Sequence, residues 1–256
     1  MKNFCFTIDD NIRFLKELNE IRPKSIFCHP YLNSLKNLNQ KYGVKVQLNL
    51  FYELNDFNLS QMTDIYKNEF QENSSWLKFS FHSKLENVKP YKSSSYAEVF
   101  NDCNAVNCEI LRFAGAYSLA KTTTIHYCLL TDKGVKAVND CGYVGLLGLY
   151  GDEENKRTSY KNTDKESELL RIGEITFRDG VYYASIDVIL NLYTIEEILE
   201  KLQCLTQREF VRVMIHEQYF YKDYFLYQKD FFLKLDKTFE FLTLNGYKST
   251  FFENKI

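Results

Sequence analysis

A chain of 256 residues is long enough for one barrel-sized domain or two small ones and can bury a sizeable core. Its 32 basic and 34 acidic side chains leave a formal net charge of −2, with no basic stripe to favour nucleic acid or an anionic membrane as partner. No stretch is apolar enough to span a bilayer, and the N-terminus reaches Asp9 and Asp10 before any run of signal-peptide length, so the chain reads as cytoplasmic.

"NFCFTIDD" alternates Phe4, Phe6 and Ile8 with smaller residues and ends in acid, which predicts a strand; "NIRFLKELNEI" then sets Ile12, Leu15 and Leu18 on one helical face. "YLNSLKNLNQKYG" keeps helical spacing through Leu32, Leu35 and Leu38, stops at Gly43 and feeds the alternating run "VKVQLNLFY". "LSQMTDIYKNEF" predicts a helix, "WLKFSFH" a strand, "YAEVFNDCNAVNCEIL" and "TDKGVKAVNDCG" helices, and "YVGLLGLY" an apolar strand. Residues 151–168 are polar and read as an excursion, followed by a hairpin signal at Asp179 and Gly180. Thr194 and Glu197 form a capping box opening "IEEILEKLQCL". "REFVRVMIH" makes a late strand, "DFFLKLDKTFEFLTLNG" a last helix and "YKSTFF" a closing strand. Such alternation predicts an α/β fold with a parallel sheet and outer helices. Six or seven steps suggest a barrel over residues 1–256 as one domain; an open doubly wound sheet shares the pattern, but no G-x-G-x-x-G follows a strand. The seven cysteines are irregularly spaced without C-x-x-C, as expected of reduced thiols.

Three polar clusters sit where strands end: Asp9 with Asp10, His82 with Glu86, and His216 with Glu217. Strand ends of a β/α barrel converge on one face, so these residues can share a site. Asp10 or Asn11 could equally cap the following helix, and Glu86 could be a solvated loop charge. "HEQYF" lacks the second histidine of a zincin motif. His29 and His126, the other two of four histidines, have no partner motif and are assigned to packing or surface hydrogen bonding.

Taken together, the chain resembles the polysaccharide deacetylase family of carbohydrate esterases, a distorted (β/α) barrel of about seven parallel strands that uses one divalent metal. "FTIDDN" resembles the family's T-F-D-D motif, which implies Asp9 as catalytic base and Asp10 as metal ligand. "HSKLE" resembles H-[ST]-x-x-H, implying His82 as a ligand and Glu86 in the place of the second histidine. "RFAGA" resembles R-x-P-x-G without the proline and final glycine; it implies Arg112 as the arginine orienting the base and Gly115 as an oxyanion donor. "SIDVIL" stands for the fourth motif, with Asp187 as partner of the catalytic histidine, and "VMIHEQYFY" for the fifth, with His216 as general acid.

The resemblance implies hydrolysis of an acetyl group on an N-acetylated sugar or small glycan, with Asp9 taking a proton from water and His216 protonating the amine. A carboxylate at Glu86 shifts the expected metal from zinc toward manganese, iron(II) or magnesium. Tyr219, Phe220, Tyr221 and Trp76 are candidates for stacking on a sugar, with core packing as the plainer role. The alternative is a non-catalytic carbohydrate-binding or scaffold protein that keeps the barrel.

Overall fold

Side-chain alternation in the first strand separates two layers. In the computed structural model, which describes residues 1–86, 91–151 and 156–256, β1 (Asn3–Asn11) turns Phe4, Phe6 and Ile8 into a large core. Its Cys5 joins a smaller cluster with Leu147, Ala184, Ile186 and Met214. A period of two forces that division: the small cluster fills the inside of a ring of strands, and the large one lies between the ring and its helices.

β1 is followed by α1 (Arg13–Ile21), α2 (Pro30–Tyr42), β2 (Val46–Leu54), β3 (Phe57–Asn58), α3 (Lys67–Glu72), β4 (Leu77–Leu85) and α4 (Tyr96–Phe113). Then come β5 (Thr122–Thr123), α5 (Asp132–Asp140), β6 (Gly145–Gly148), α6 (Asp164–Arg171), β7 (Thr176–Arg178), β8 (Val181–Ser185) and β9 (Val188–Ile189). The chain ends with α7 (Ile195–Cys204), β10 (Phe210–His216), α8 (Phe231–Leu244) and β11 (Lys248–Ser249).

Parallel pairing runs β9–β10–β1–β2–β4 in one sheet and β5–β6–β8 in the other. Two seams join them. The Ile186 N–H donates to the Gly148 carbonyl of β6 and the Asp187 N–H to the Arg212 carbonyl of β10, so β8 and β9 are one path crossing between sheets. At the other seam the Ala120 N–H reaches the Phe79 carbonyl beside a lone bridge between Phe79 and Leu119. The result is a distorted (β/α) barrel of seven strand places, β8 and β9 sharing one.

The capping box at Thr194 and Glu197 is present, and Asp179 and Gly180 both take positive φ in the β7–β8 hairpin, as a two-residue turn requires. The expected helix over "LSQMTDIYKNEF" is instead a three-residue turn, closed by Asn58 and Gln61, and the short α3; Met62 between them is extended. The closing strand pairs only at Lys248 and Ser249. Within the expected polar excursion a capping box at Thr163 and Glu166 starts α6, while residues 152–155 lie outside the described residues. Among the described residues no helix is long and apolar enough to cross a membrane.

The β8–β10 seam holds a buried ion pair. Asp187 Oδ2 accepts from Arg212 Nε at 3.0 Å and from its main-chain N–H at 2.8 Å, and Asp187 Oδ1 accepts from Arg208. Both side chains of the Asp187–Arg212 pair are at most 2% exposed. Removing one partner of such a pair strands the other's charge, so Asp187→Ala should lower unfolding stability by about 3–5 kcal/mol in a urea titration followed by circular dichroism. A loss under about 1 kcal/mol would show that the pair contributes no more than a surface contact.

Candidate active site

Neighbouring residues of a regular strand face opposite sides, yet Asp9 and Asp10 enter one polar cluster. Ile8 opposes Leu48 and Asn11 opposes Leu50, leaving Asp9 and Asp10 together opposite Asn49. Asp10 has φ +62°, a left-handed conformation that Asp tolerates better than most residues. This is a β-bulge, the device by which a strand re-aims a side chain. β4 repeats it: Leu50 opposes Phe81 and Phe51 opposes Ser83, so His82 is the additional residue.

Asp10 Oδ1 lies 3.0 Å from His82 Nε2 and 3.4 Å from His126 Nδ1, and the two ring nitrogens are 3.1 Å apart. The outer nitrogens fix both tautomers. His82 Nδ1–H donates to the Thr124 carbonyl and His126 Nε2–H to the Glu86 carbonyl at 2.8 Å. With both rings neutral, the inward nitrogens therefore present lone pairs. Two lone pairs and a carboxylate oxygen converging in a buried place repel one another unless something positive lies between them. One carboxylate and two imidazoles, each held by a carbonyl behind it, make a donor set suited to a metal ion.

Beside this cluster, Asp9 is buried and its Oδ1 accepts from Asn49 Nδ2 at 2.6 Å. His216 stands next to Asp9 across the β1–β10 ladder, and its Nδ1 pairs with Asn191 Oδ1 at 2.9 Å. Burial pushes the Asp9 carboxyl above its ordinary range, against the opposing charges of His82 and His216. Burial acts the same way on Asp10, but hydrogen bonding at His126 and His82, which those rings offer when protonated, outweighs it and holds that carboxyl well below the usual range. Burial depresses His82, yet the charge of Asp9 and the bond to Asp10 raise it overall. A cavity of about 370 Å³ opens over Asp10, walled by Arg13, Phe51, Glu86, Gln218 and Tyr224.

The structure thus brings Asp9, Asp10, His82 and His216 together, keeps the Glu86 carboxylate on the cavity wall outside the converging donors, and places Arg112, Gly115 and Asp187 elsewhere. The Glu86 carboxylate accepts from Gln218 Nε2 at 2.6 Å and is not among the converging donors; His126, assigned to packing from sequence, stands there instead. β4 stays extended through Leu85, so four residues carry Glu86 up to about 13 Å along the chain from His82.

Arg112, in the last turn of α4, spends its guanidinium on Glu109 and on the carbonyls of Leu59 and Met62. The Gly115 N–H donates to the Ile110 carbonyl, and its φ of +84° serves the turn that leads from helix to strand, at the end of the barrel opposite the cluster. Asp187 is bound to Arg212, about 13 Å down β10 from His216, whose ring is oriented by Asn191 instead. Of the aromatics, Trp76 and Tyr221 are buried and Phe220 packs on Phe231 and Phe232, whereas Tyr219 lies 6.2 Å from the His216 ring. His126 had one sequence signal: it ends the β-branched run "TTTI".

No family model and no curated protein matches the sequence. Among solved structures, a family 4 acetyl xylan esterase from Clostridium thermocellum in complex with cobalt gives a TM-score of 0.56 at 12% identity, over 99% of this chain and 89% of the esterase. A CE4 family pseudoenzyme from Bacillus anthracis gives 0.53 at 14% identity, over 99% and 64%. The fold is that of the CE4 deacetylases. A 4-alpha-glucanotransferase from Thermococcus litoralis gives 0.63 at 15% identity, over 99% of this chain and 40% of its own. The chain therefore spans less than two thirds of the pseudoenzyme and of the glucanotransferase, and the CE4 fold by itself carries both active and inactive members.

Two measurements check the cluster. His126→Ala should weaken zinc binding by roughly 100-fold in calorimetry, whereas Glu86→Ala, which keeps the main-chain carbonyl behind His126, should cost less than about tenfold. His82 holds its proton above its ordinary 6.5, so proton and metal compete until that raised pKa is passed. Zinc affinity should accordingly climb by about tenfold per pH unit as pH rises past 6.5 and then level off. An affinity independent of pH there would remove His82 from the metal's ligands.

Proposed function

We propose that the protein is a metal-dependent hydrolase that removes an acetyl group from an N-acetylated sugar or small glycan. The observation that carries this reading is the convergence of Asp10, His82 and His126 beside Asp9 and His216, with Asp10 lining a cavity. A divalent cation held by those three ligands supplies a Lewis acid for the acyl carbonyl. With two imidazoles and one carboxylate, the donor set suits zinc or another imidazole-binding ion, and the oxygen-rich preference expected from Glu86 loses its basis.

Asp9 is the base. Burial raises its carboxyl toward the working range, so it takes a proton from the attacking water more readily than an exposed aspartate. Asn49 holds one Asp9 oxygen, which fixes the carboxylate plane and leaves the other for that proton. His216 is the acid: Asn191 anchors its Nδ1, and its Nε2 delivers a proton to the departing amine. Since the partner is an amide and not a carboxylate, it orients the ring without adding negative charge beside it.

A non-catalytic glycan-binding barrel is the second reading, favoured by one observation: neither Arg112 nor Asp187 reaches the site. Acetate release from N-acetylated chito-oligosaccharides and from acetylated xylan separates the two. Asp9→Asn should lower kcat by about 10²–10⁴ while zinc affinity is kept, and a chelator should abolish turnover until zinc or cobalt is returned. Turnover that survives the chelator would defeat the metal dependence, turnover that survives Asp9→Asn would defeat Asp9 as the base, and glycan binding without acetate release would establish the second reading.

A further inference from the structure

Glu217 directly follows His216 and is fully buried, yet no step above uses it. Its carboxylate accepts three consecutive main-chain N–H groups at the start of α1: Oε2 from Ile12 at 2.9 Å and from Arg13 at 3.1 Å, and Oε1 from Phe14 at 2.9 Å. The Tyr221 hydroxyl donates to Oε1 at 3.3 Å. A helix start ordinarily finds its first acceptor in the side chain of its own capping residue. α1 has Ile12 there, which offers no polar atom, so the cap comes from the far end of β10.

The capped residues begin two places after Asp10. A left-handed aspartate is strained and persists only where its surroundings over-determine it. On the β2 side that work falls to Asn11, which donates to the Ile8 carbonyl and, at 3.2 Å, to the Asn49 carbonyl, and accepts from the Tyr31 hydroxyl at 2.9 Å. On the β10 side the backbone ladder ends where Asp9 meets His216. Glu217 carries the tie past that end.

We propose that Glu217 is a positioning residue: by holding Ile12, Arg13 and Phe14 it fixes the bulge that aims Asp10 at His82 and His126, and it locks that bulge to the strand bearing His216. The inference rests on the metal-centre reading of Asp10, His82 and His126. Glu217 touches no reacting atom, and its effect passes through the backbone on either side of the site.

The test must separate positioning from plain stabilisation. Glu217→Ala and Glu217→Gln are compared with Asp187→Ala, a destabilised variant remote from the cluster, at a temperature where circular dichroism shows each of them folded. Glu217→Ala should weaken cobalt binding at least about tenfold and shift the visible cobalt bands. Glu217→Gln, which keeps one acceptor oxygen, should fall between it and the parent, and Asp187→Ala should match the parent. In metal-free protein the ¹⁵N shifts of His82 and His126 should move in the Glu217 variants and stay in place in Asp187→Ala.

Parent-like cobalt affinity, bands and ¹⁵N shifts in Glu217→Gln and in any folded Glu217→Ala would overturn the proposal, as would equal changes in Asp187→Ala. If the parent binds no cobalt, the metal-centre reading fails by itself, and the ¹⁵N shifts still decide whether Glu217 positions the histidines.

Discussion

A pleated strand can offer only every second side chain to the inside of a barrel, and this site needs more than that. The single inserted residue in β1, Asp10 at φ +62°, lets two successive carboxylates reach the same cluster. The additional residue in β4 does the same for His82. Asn49 sits opposite the first bulge and bonds Asp9, so the strand between the two bulges also orients that carboxylate. The approach of Asp10 to His82 follows from where those two strands leave regular register.

Electrostatics then divide the two aspartates. Both are buried, but Asp10 meets two imidazole nitrogens and is held in its charged form, whereas Asp9 has an amide partner and is pushed toward its neutral one. One carboxylate is thus held toward its charged form and its neighbour pushed toward protonation. Composition and spacing treat the two residues of the doublet alike; the division arises from which side chains each carboxylate meets.

Residues that end a long alternating run were legible in the sequence. Asp9, Asp10 and His216 lie at the ends of β1 and β10, and His82 ends the apolar alternation of β4, which itself runs on to Leu85. Glu86 was placed by its match to the last position of the H-[ST]-x-x-H pattern, but β4 remains extended through Leu85 and carries it on past His82. His126 was missed because β5 has only two residues, too few to show a period.

Arg112 and Gly115 follow from degenerate motif matches, and they fall where a helix returns to a strand, on the face of a parallel barrel opposite the strand ends. Asp187 likewise rests on a single-residue match to the fourth motif, just after the end of β8. The chain changes sheets there and runs on as β9.

The seam between β4 and β5 has little ladder of its own, and side chains supply the rest: Thr123 donates to the Phe81 carbonyl, Gln47 reaches the Thr122 carbonyl at 2.8 Å, and His82 itself reaches Thr124. Asp10 and His82 ride on the larger sheet, while His126 follows the last strand residue of the smaller one. Slackening of that seam moves one donor away from the other two while leaving those two in step. The cluster is in effect a gauge of barrel closure, and the imidazole that reads the gap is also one of its fasteners.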